Sequence, residues 1–342
     1  MSWQRQNAVT NPDALARYVE AVMQLKEEPS GKSTTDFGIP GPQNSVSVYD
    51  VFVIWHIRSS NAGIPLGGDP ALRNWAHRGP VFLPWHRMML LYLEGQCQRA
   101  LGLPGGPDRT FGLPYWDWSA DGDNGSPFTA PIWQPSGMGG QGTPVSDGPF
   151  AYRPGDPSSF TVRIESDPDG NPSQVGDGEG RGLNREFASG WEQLPTSANI
   201  KDALAYEAPG PDPKPGDRYD VLDYSVNSDG FRGRLEGWTP NPDPQDTRPW
   251  LHNQVHAWIG GDMSPSSSPN DPVFFLHHSN VDRIWESWLR RYDRVYAPDM
   301  TAPADPYNGE RIDDLLDNPN FWTVLRTMLD RSEYYTYDEL PT

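Results

Sequence analysis

Six of the seven histidines of this chain read as two triads far apart in sequence, and both lie in apolar stretches that a folded chain must bury. His56, His77 and His86 occupy the first third, the last two inside HRGPVFLPWHRMMLLYLE. His252, His256 and one of the adjacent pair His277 and His278 occupy the last third, inside HNQVHAWIGGDMSPSSSPNDPVFFLHHSNVDRIW. No thiol or carboxylate stands where a metal site would otherwise recruit one. Imidazole suits zinc, copper, iron and nickel; the absence of thiolate argues against structural zinc, and the absence of carboxylate against non-haem iron. Two sites of three nitrogens, each with open positions, suit copper cycling between its two oxidation states. The expected cofactor is a pair of copper ions.

Composition narrows the class of protein around such a centre. Gly 34 and Pro 37 in 342 residues require much turn and irregular loop, while 14 Trp argue for a rigid aromatic core. A formal charge of -19 disfavours nucleic acid and anionic membrane as partners, because the phosphate field would repel it. The acidic residues are scattered, which reads as a well-solvated surface. A single cysteine, Cys97, rules out an internal disulfide and reads as a small core residue of MMLLYLEGQC. The opening MSWQRQNAVTNPD has no apolar h-region and no stretch of about 18 apolar residues occurs, so a soluble chain, cytoplasmic as encoded, is expected.

Along the chain, Asn11-Pro12-Asp13 is a helix start, and DALARYVEAVMQLKEE places Leu15, Tyr18, Val19, Val22 and Leu25 on one face. The polar stretch from Pro29 to Gln43 ends that helix. SVYDVFVIWHIRSS is apolar enough for a buried helix, with strand as the competing reading. Pro84 opens a helix through WHRMMLLYLEGQCQRAL that stops at Gly102. LHNQVHAWIGG reads as a short helix ended by Gly260 and Gly261, and Asp271-Pro272 caps a longer one through PVFFLHHSNVDRIWESWLRRY. Between Leu103 and Gly182, and from Ala208 to Trp250, the composition predicts long ordered loops, since Tyr115, Trp116, Trp118, Phe128, Trp133 and Phe150 recur in the first of them.

Spacing gives limited information at each histidine. His252 and His256 are four apart on one helix, so both side chains leave the same face. Zinc proteases share that spacing but carry a catalytic Glu after the first histidine, where this chain has Asn253. A di-iron bundle would need Glu-x-x-His, which neither helix has. His56 alone would more often be an ordinary core histidine, His77 a loop histidine, and His86 a residue at a helix start. Neighbours on a helix point about 100° apart, so only one of His277 and His278 can enter a given site, and spacing does not choose. Six independent accidents are implausible together.

HRGPVFLPWHRMMLLYLE, PYWDWSAD, SDGPF, SDGFRGRLEGW, LHNQVHAWIGG and PNDPVFFLHHSNVDRIW resemble, in order, the tyrosinase family of type 3 copper proteins, most of all its compact bacterial members. The resemblance runs from about Ala14 to the closing YYTYDEL. It implies a mainly α-helical single domain over 1–342, with a central four-helix bundle holding a dicopper centre, long ordered loops and few short strands. His56, His77 and His86 then match the first copper's ligands, and His252, His256 and His278 the second's, with His277 outside the ligand set. Asp282 becomes a candidate for orienting an imidazole, against an ion pair with Arg283 or Arg290. Asn74, Trp75 and Ala76 precede His77, so the cysteine–histidine thioether of some members is absent. The chain closes without the C-terminal lid domain of larger members. Compact members often rely on a small helper protein for copper loading and export, which the missing signal peptide fits.

The activity implied is that of a dicopper oxidase that hydroxylates monophenols to o-diphenols and oxidises o-diphenols to o-quinones with O2, acting on small phenolic substrates. In the family, a Glu and the Asn after the second copper's first ligand hold a water that deprotonates the phenol. Asn253 matches directly and Glu236 matches by the motif RLEGW, although TPNPDPQDTRPW makes its distance to His252 longer than in compact members. With Glu236 in place, monophenol hydroxylation is expected; without it, only catechol or o-aminophenol oxidation. Ala257 and Ser266 to Ser268 are small, which predicts an open pocket mouth. An oxygen carrier of the haemocyanin kind would use the same centre but seals it with further domains. A structural metal site would close its coordination sphere.

Overall fold

The computed structural model describes residues 3–64, 67–208, 210, 212–220, 229–238, 251–302, 310–314, 316, 323–329, 332 and 334–342. Helix α1 (Pro12–Glu27) begins at its capping signal: the Asn11 side chain accepts the Ala14 amide, and Pro12 takes a first-turn position that needs no donor. Leu15, Tyr18, Val22 and Leu25 are buried along its inner face, whereas Val19 is only partly covered. Helix α2 (Val48–Ser60) resolves SVYDVFVIWHIRSS as helix. Ser47 caps it by accepting the Asp50 amide, and the Asp50 carboxylate takes the buried Lys26 ammonium of α1, which clamps the two helices together.

Helix α3 (Phe82–Leu101) starts two residues ahead of the expected Pro84. A proline in the first turn lacks only an amide that has no intrahelical partner, so the turn forms ahead of it. The helix ends at Gly102, where a Cβ would lie 1.7 Å from the Gly106 carbonyl oxygen. Short helices α4 (Trp118–Asp123), α5 (Ser197–Leu204) and α6 (Phe231–Glu236) interrupt the loop-rich middle. Helices α7 (Leu251–Ile259) and α8 (Val273–Arg291) carry the second histidine group, and α9 (Val324–Met328) follows. Helix α1 packs on α2 and α3, α3 on α8, and α8 on α7. The fold is mainly helical, and no described helix is long and apolar enough to cross a membrane.

The strands are short and pair in twos. Strands β1 (Trp3–Arg5) and β6 (Tyr335–Tyr337) run parallel, joining the two ends of the chain. Strand β2 (Pro29–Ser33) pairs antiparallel with β3 (Ser45–Ser47), so part of the polar stretch read as a helix-ending loop is an edge strand. Strand β4 (Ile164–Ser166) pairs with β5 (Pro172–Gln174). The long loop from Leu103 to Gly182 is ordered by its aromatics: Tyr115, Trp116, Trp118, Trp133 and Phe150 are buried, while Phe128 stays 48% exposed. The insertion TPNPDPQDTRPW, residues 239–250, lies outside the described residues.

Buried ions bind the helices to one another. Asp282 on α8 meets neither expectation. Its carboxylate accepts from Arg5 of β1, Arg87 of α3 and the Tyr337 hydroxyl of β6. Arg283 instead pairs with Asp117, and Arg290 with Glu286, because Arg283 leaves the helix about 100° round from Asp282 and Arg290 lies about 12 Å further along it. Burial pushes the Asp282 carboxyl up, yet Arg87 and Arg5 hold it below the usual range. Cys97 is buried in α3 as expected, with its thiol pushed up by that burial.

Candidate metal centre

The fold brings the histidine-bearing stretches face to face. His56 projects from the third turn of α2, His77 from the loop before α3, and His86 from the second turn of α3. The ligand nitrogens of these three lie within 4.8 Å of one another, as do those of His252, His256, His277 and His278 on α7 and α8. The two groups touch: the His86 and His278 rings stack with centroids 4.1 Å apart, and the His77 and His252 rings are 6.2 Å apart. Two metal positions would therefore be neighbours within one cavity.

Each ring is oriented from behind. The Nδ1–H of His56 donates to the Ser266 carbonyl, that of His86 to the Phe82 carbonyl and that of His256 to the Met263 carbonyl, at 2.6, 2.8 and 2.6 Å. A carbonyl only accepts, so each Nδ1 must carry the hydrogen and each Nε2 keeps its lone pair. Those three Nε2 atoms are buried and have no partner among the described residues. His252 donates Nδ1–H to Asn253 Oδ1 at 2.9 Å and lies 3.2 Å from the Glu236 carbonyl oxygen. Its Nε2 faces that of His278 at 3.3 Å, and His77 Nδ1 lies 3.3 Å from the Ser60 hydroxyl.

Electrostatics keep these rings in the ligating form. Burial holds His56 at about 3 and His256 at about 4, and with neighbouring imidazoles it holds His77, His86, His252, His277 and His278 well below the ordinary value. Buried lone pairs without partners cost about 1–3 kcal/mol each unless something accepts them. Converging neutral imidazoles, with no thiolate or carboxylate among them, fit a pair of copper ions.

The model of the common central domain of tyrosinase matches residues 46–291, a span that contains every one of these histidines. The chain belongs to the tyrosinase family. It is 34% identical to a tyrosinase of Streptomyces glaucescens over 346 residues, covering 99% of both chains. It is 32% identical to grixazone synthase of Streptomyces griseus, covering 90% of this chain and 94% of that one. Among solved structures, a polyphenol oxidase from Thermothelomyces thermophila is similar with a TM-score of 0.63 at 20% identity, over 99% of this chain and 89% of that one. A copper-bound tyrosinase of Aspergillus oryzae gives 0.52 at 15% identity, over 98% and 93%. These two likenesses are of fold. Tyrosinases are dicopper enzymes, and this member is a type 3 copper phenol oxidase.

Around this tyrosinase centre, Glu236 and Asn253 meet on one ring. Glu236 ends α6 and is fully buried. Its main-chain oxygen faces His252, its Oε1 accepts the Arg78 amide at 2.6 Å, and its Oε2 accepts from Arg232 at 3.1 Å. Burial pushes its carboxyl up, opposed by Arg232 and the Arg78 amide. Asn253 is half-buried, and its Nδ2 has no partner among the described residues. The adjacent pair does not separate cleanly: His278 points its Nε2 at His252, but His277 stacks on the same ring with both nitrogens buried and, among the described residues, unpartnered. Of the three small serines expected at an open mouth, two are turned inward and Ser266 is half-buried. Ser267 and Ser268 are buried, and the Ser266 carbonyl holds His56.

Two residues were missed by reading the histidines alone. Phe82 lies within about ring-contact distance of His77, His86, His252 and His278, and Phe274 of His56, His86, His256 and His278. Each stands four residues before a histidine on its own helix, Phe82 before His86 and Phe274 before His278. That spacing puts phenylalanine and imidazole on one face and was the available signal.

Proposed function

We propose that this chain hydroxylates monophenols to o-diphenols and oxidises o-diphenols to o-quinones, with O2 as co-substrate and small phenols as substrates. The observation that supports the hydroxylase half is Asn253, held on His252 through Oδ1 with its Nδ2 unpartnered among the described residues, while the main-chain oxygen of Glu236 faces the same ring. When bound, copper supplies the activation of O2 and the electron transfer. The chain does the rest. Main-chain carbonyls fix the rings, and Phe82 and Phe274 keep water from the cavity between them.

A phenol has a pKa of about 10 and arrives protonated at neutral pH. The free Nδ2–H of Asn253 can donate to a water, and each Glu236 oxygen retains a second lone pair to accept from it. That water takes the phenolic proton and passes one of its own to Glu236, while Arg232 supports the carboxylate charge. A second reading, oxidation of catechols or o-aminophenols alone, is favoured by the engagement of both Glu236 oxygens with fixed donors.

The test is copper-loaded protein on 4-methylphenol and 4-methylcatechol, compared with Glu236→Gln. The ratio of phenol to catechol turnover is expected to fall by about tenfold or more in the variant. An unchanged ratio removes Glu236 from the proton path. Failure of the unsubstituted protein to consume the phenol without added catechol establishes the second reading.

A further inference from the structure

Around the histidines the half-buried residues include His77, Arg78, Trp238, Asn253 and His256. One of them is a cation. Arg78 directly follows a histidine of the first triad and has φ 69°, a left-handed backbone that L side chains rarely adopt. Its amide is anchored on Glu236 Oε1, so the unusual backbone is held by the site itself. The guanidinium lies over the Trp238 indole, 4.4 Å from the ring centroid.

That guanidinium has no carboxylate partner among the described residues, in a chain with 46 acidic and 27 basic residues. Glu236, whose Oε1 accepts the Arg78 main-chain amide, has its other oxygen on Arg232. An indole face holds a guanidinium by its plane and leaves the in-plane N–H groups free. Those groups match a carboxylate in a two-point, charge-assisted contact. The molecule as a whole carries -19 and repels anions, so a cation beside the histidines reverses the preference locally.

We propose that Arg78, held on Trp238, is a specificity-determining residue that receives the carboxylate of an anionic phenol whose ring enters between the two histidine triads. This rests on the phenol-oxidase reading of the same site. Without such a residue, the net charge would favour phenols bearing an amine.

The test uses copper-loaded enzyme on 3,4-dihydroxybenzoate, 3,4-dihydroxyphenylacetate and 3-(3,4-dihydroxyphenyl)propionate, each with its methyl ester, and on dopamine. At least one acid is expected to exceed its ester in kcat/KM. Arg78→Gln should lower that acid-to-ester ratio by about tenfold, mainly through KM, while Arg78→Lys keeps part of it. Trp238→Leu, which removes the platform but keeps the charge, should lower the ratio less. Calorimetry on the copper-loaded enzyme under nitrogen, where no turnover occurs, should show the same loss of affinity for 3-(4-hydroxyphenyl)propionate. Preference for ester or dopamine over every acid, or an equal acid-to-ester ratio in Arg78→Gln, overturns the assignment. Oxidation of no catechol of any charge would sink the phenol-oxidase reading and this one with it.

Discussion

At a single imidazole, the choice that matters is which nitrogen carries the hydrogen. Carbonyls of Ser266, Phe82 and Met263 make that choice for His56, His86 and His256, leaving Nε2 turned into the cavity. None of these acceptors could be read from composition, because a main-chain oxygen has no side-chain signature. The adjacent pair is the sharper test. His278→Ala is expected to reduce bound copper from two ions to one, as its Nε2 shares a focus with that of His252. His277→Ala should keep both ions and change only the packing beneath His252. Metal analysis of the purified variants decides it, and equal losses would make His277 a ligand in its own right.

At the scale of elements, helices α3 and α8 are joined by ions as well as by rings. Asp282 holds Arg5 and Arg87, and Arg87 also reaches Glu286, all out of water. Replacing the shared partner leaves two buried guanidinium groups short of charge. Asp282→Asn is therefore expected to cost about 3–5 kcal/mol and lower the melting temperature of copper-loaded protein by several degrees. A melt within a degree of the parent would show that Glu94 and Glu286 suffice. The helices themselves were legible, since caps such as Asn11 and Ser47 and the apolar spacing of α1 are local signals. The start of α3 was misread because Pro84 looks like an opening residue but is equally tolerated two places further in. Strand β2 was missed because its pairing with β3 is set by a partner, and PSGKS has no strand pattern of its own.

At the scale of the whole molecule, the cavity makes stability depend on pH and on metal. The imidazoles are less basic folded than unfolded: His56 stays neutral down to about 3 and His256 to about 4, against an ordinary value of 6.5. Below about pH 6.5 the unfolded chain takes up protons that the folded chain refuses. The stability of copper-free protein should thus be level above that pH as far as these groups go, and fall as pH drops from about 6.5 towards 4. Copper binds only the folded form and should raise the melting temperature at pH 7, with chelator reversing the gain. Scanning calorimetry with and without copper, from pH 7.5 to 4.5, would contradict this if the two forms melted together throughout.

The chain by itself determined helices α1, α3, α7 and α8, the two separated groups of histidines, the family and hence the metal, because those depend on residue type at fixed local spacing. Tertiary structure decided what local spacing cannot carry. It turned Asp282 away from the expected arginines, closed Ser267 and Ser268 into the interior, and brought Phe82 and Phe274 between the triads. It also set Glu236 against His252 although residues 239–250 intervene in sequence. Contacts of that kind join residues many positions apart, and they exist only once the core has fixed how the helices face one another.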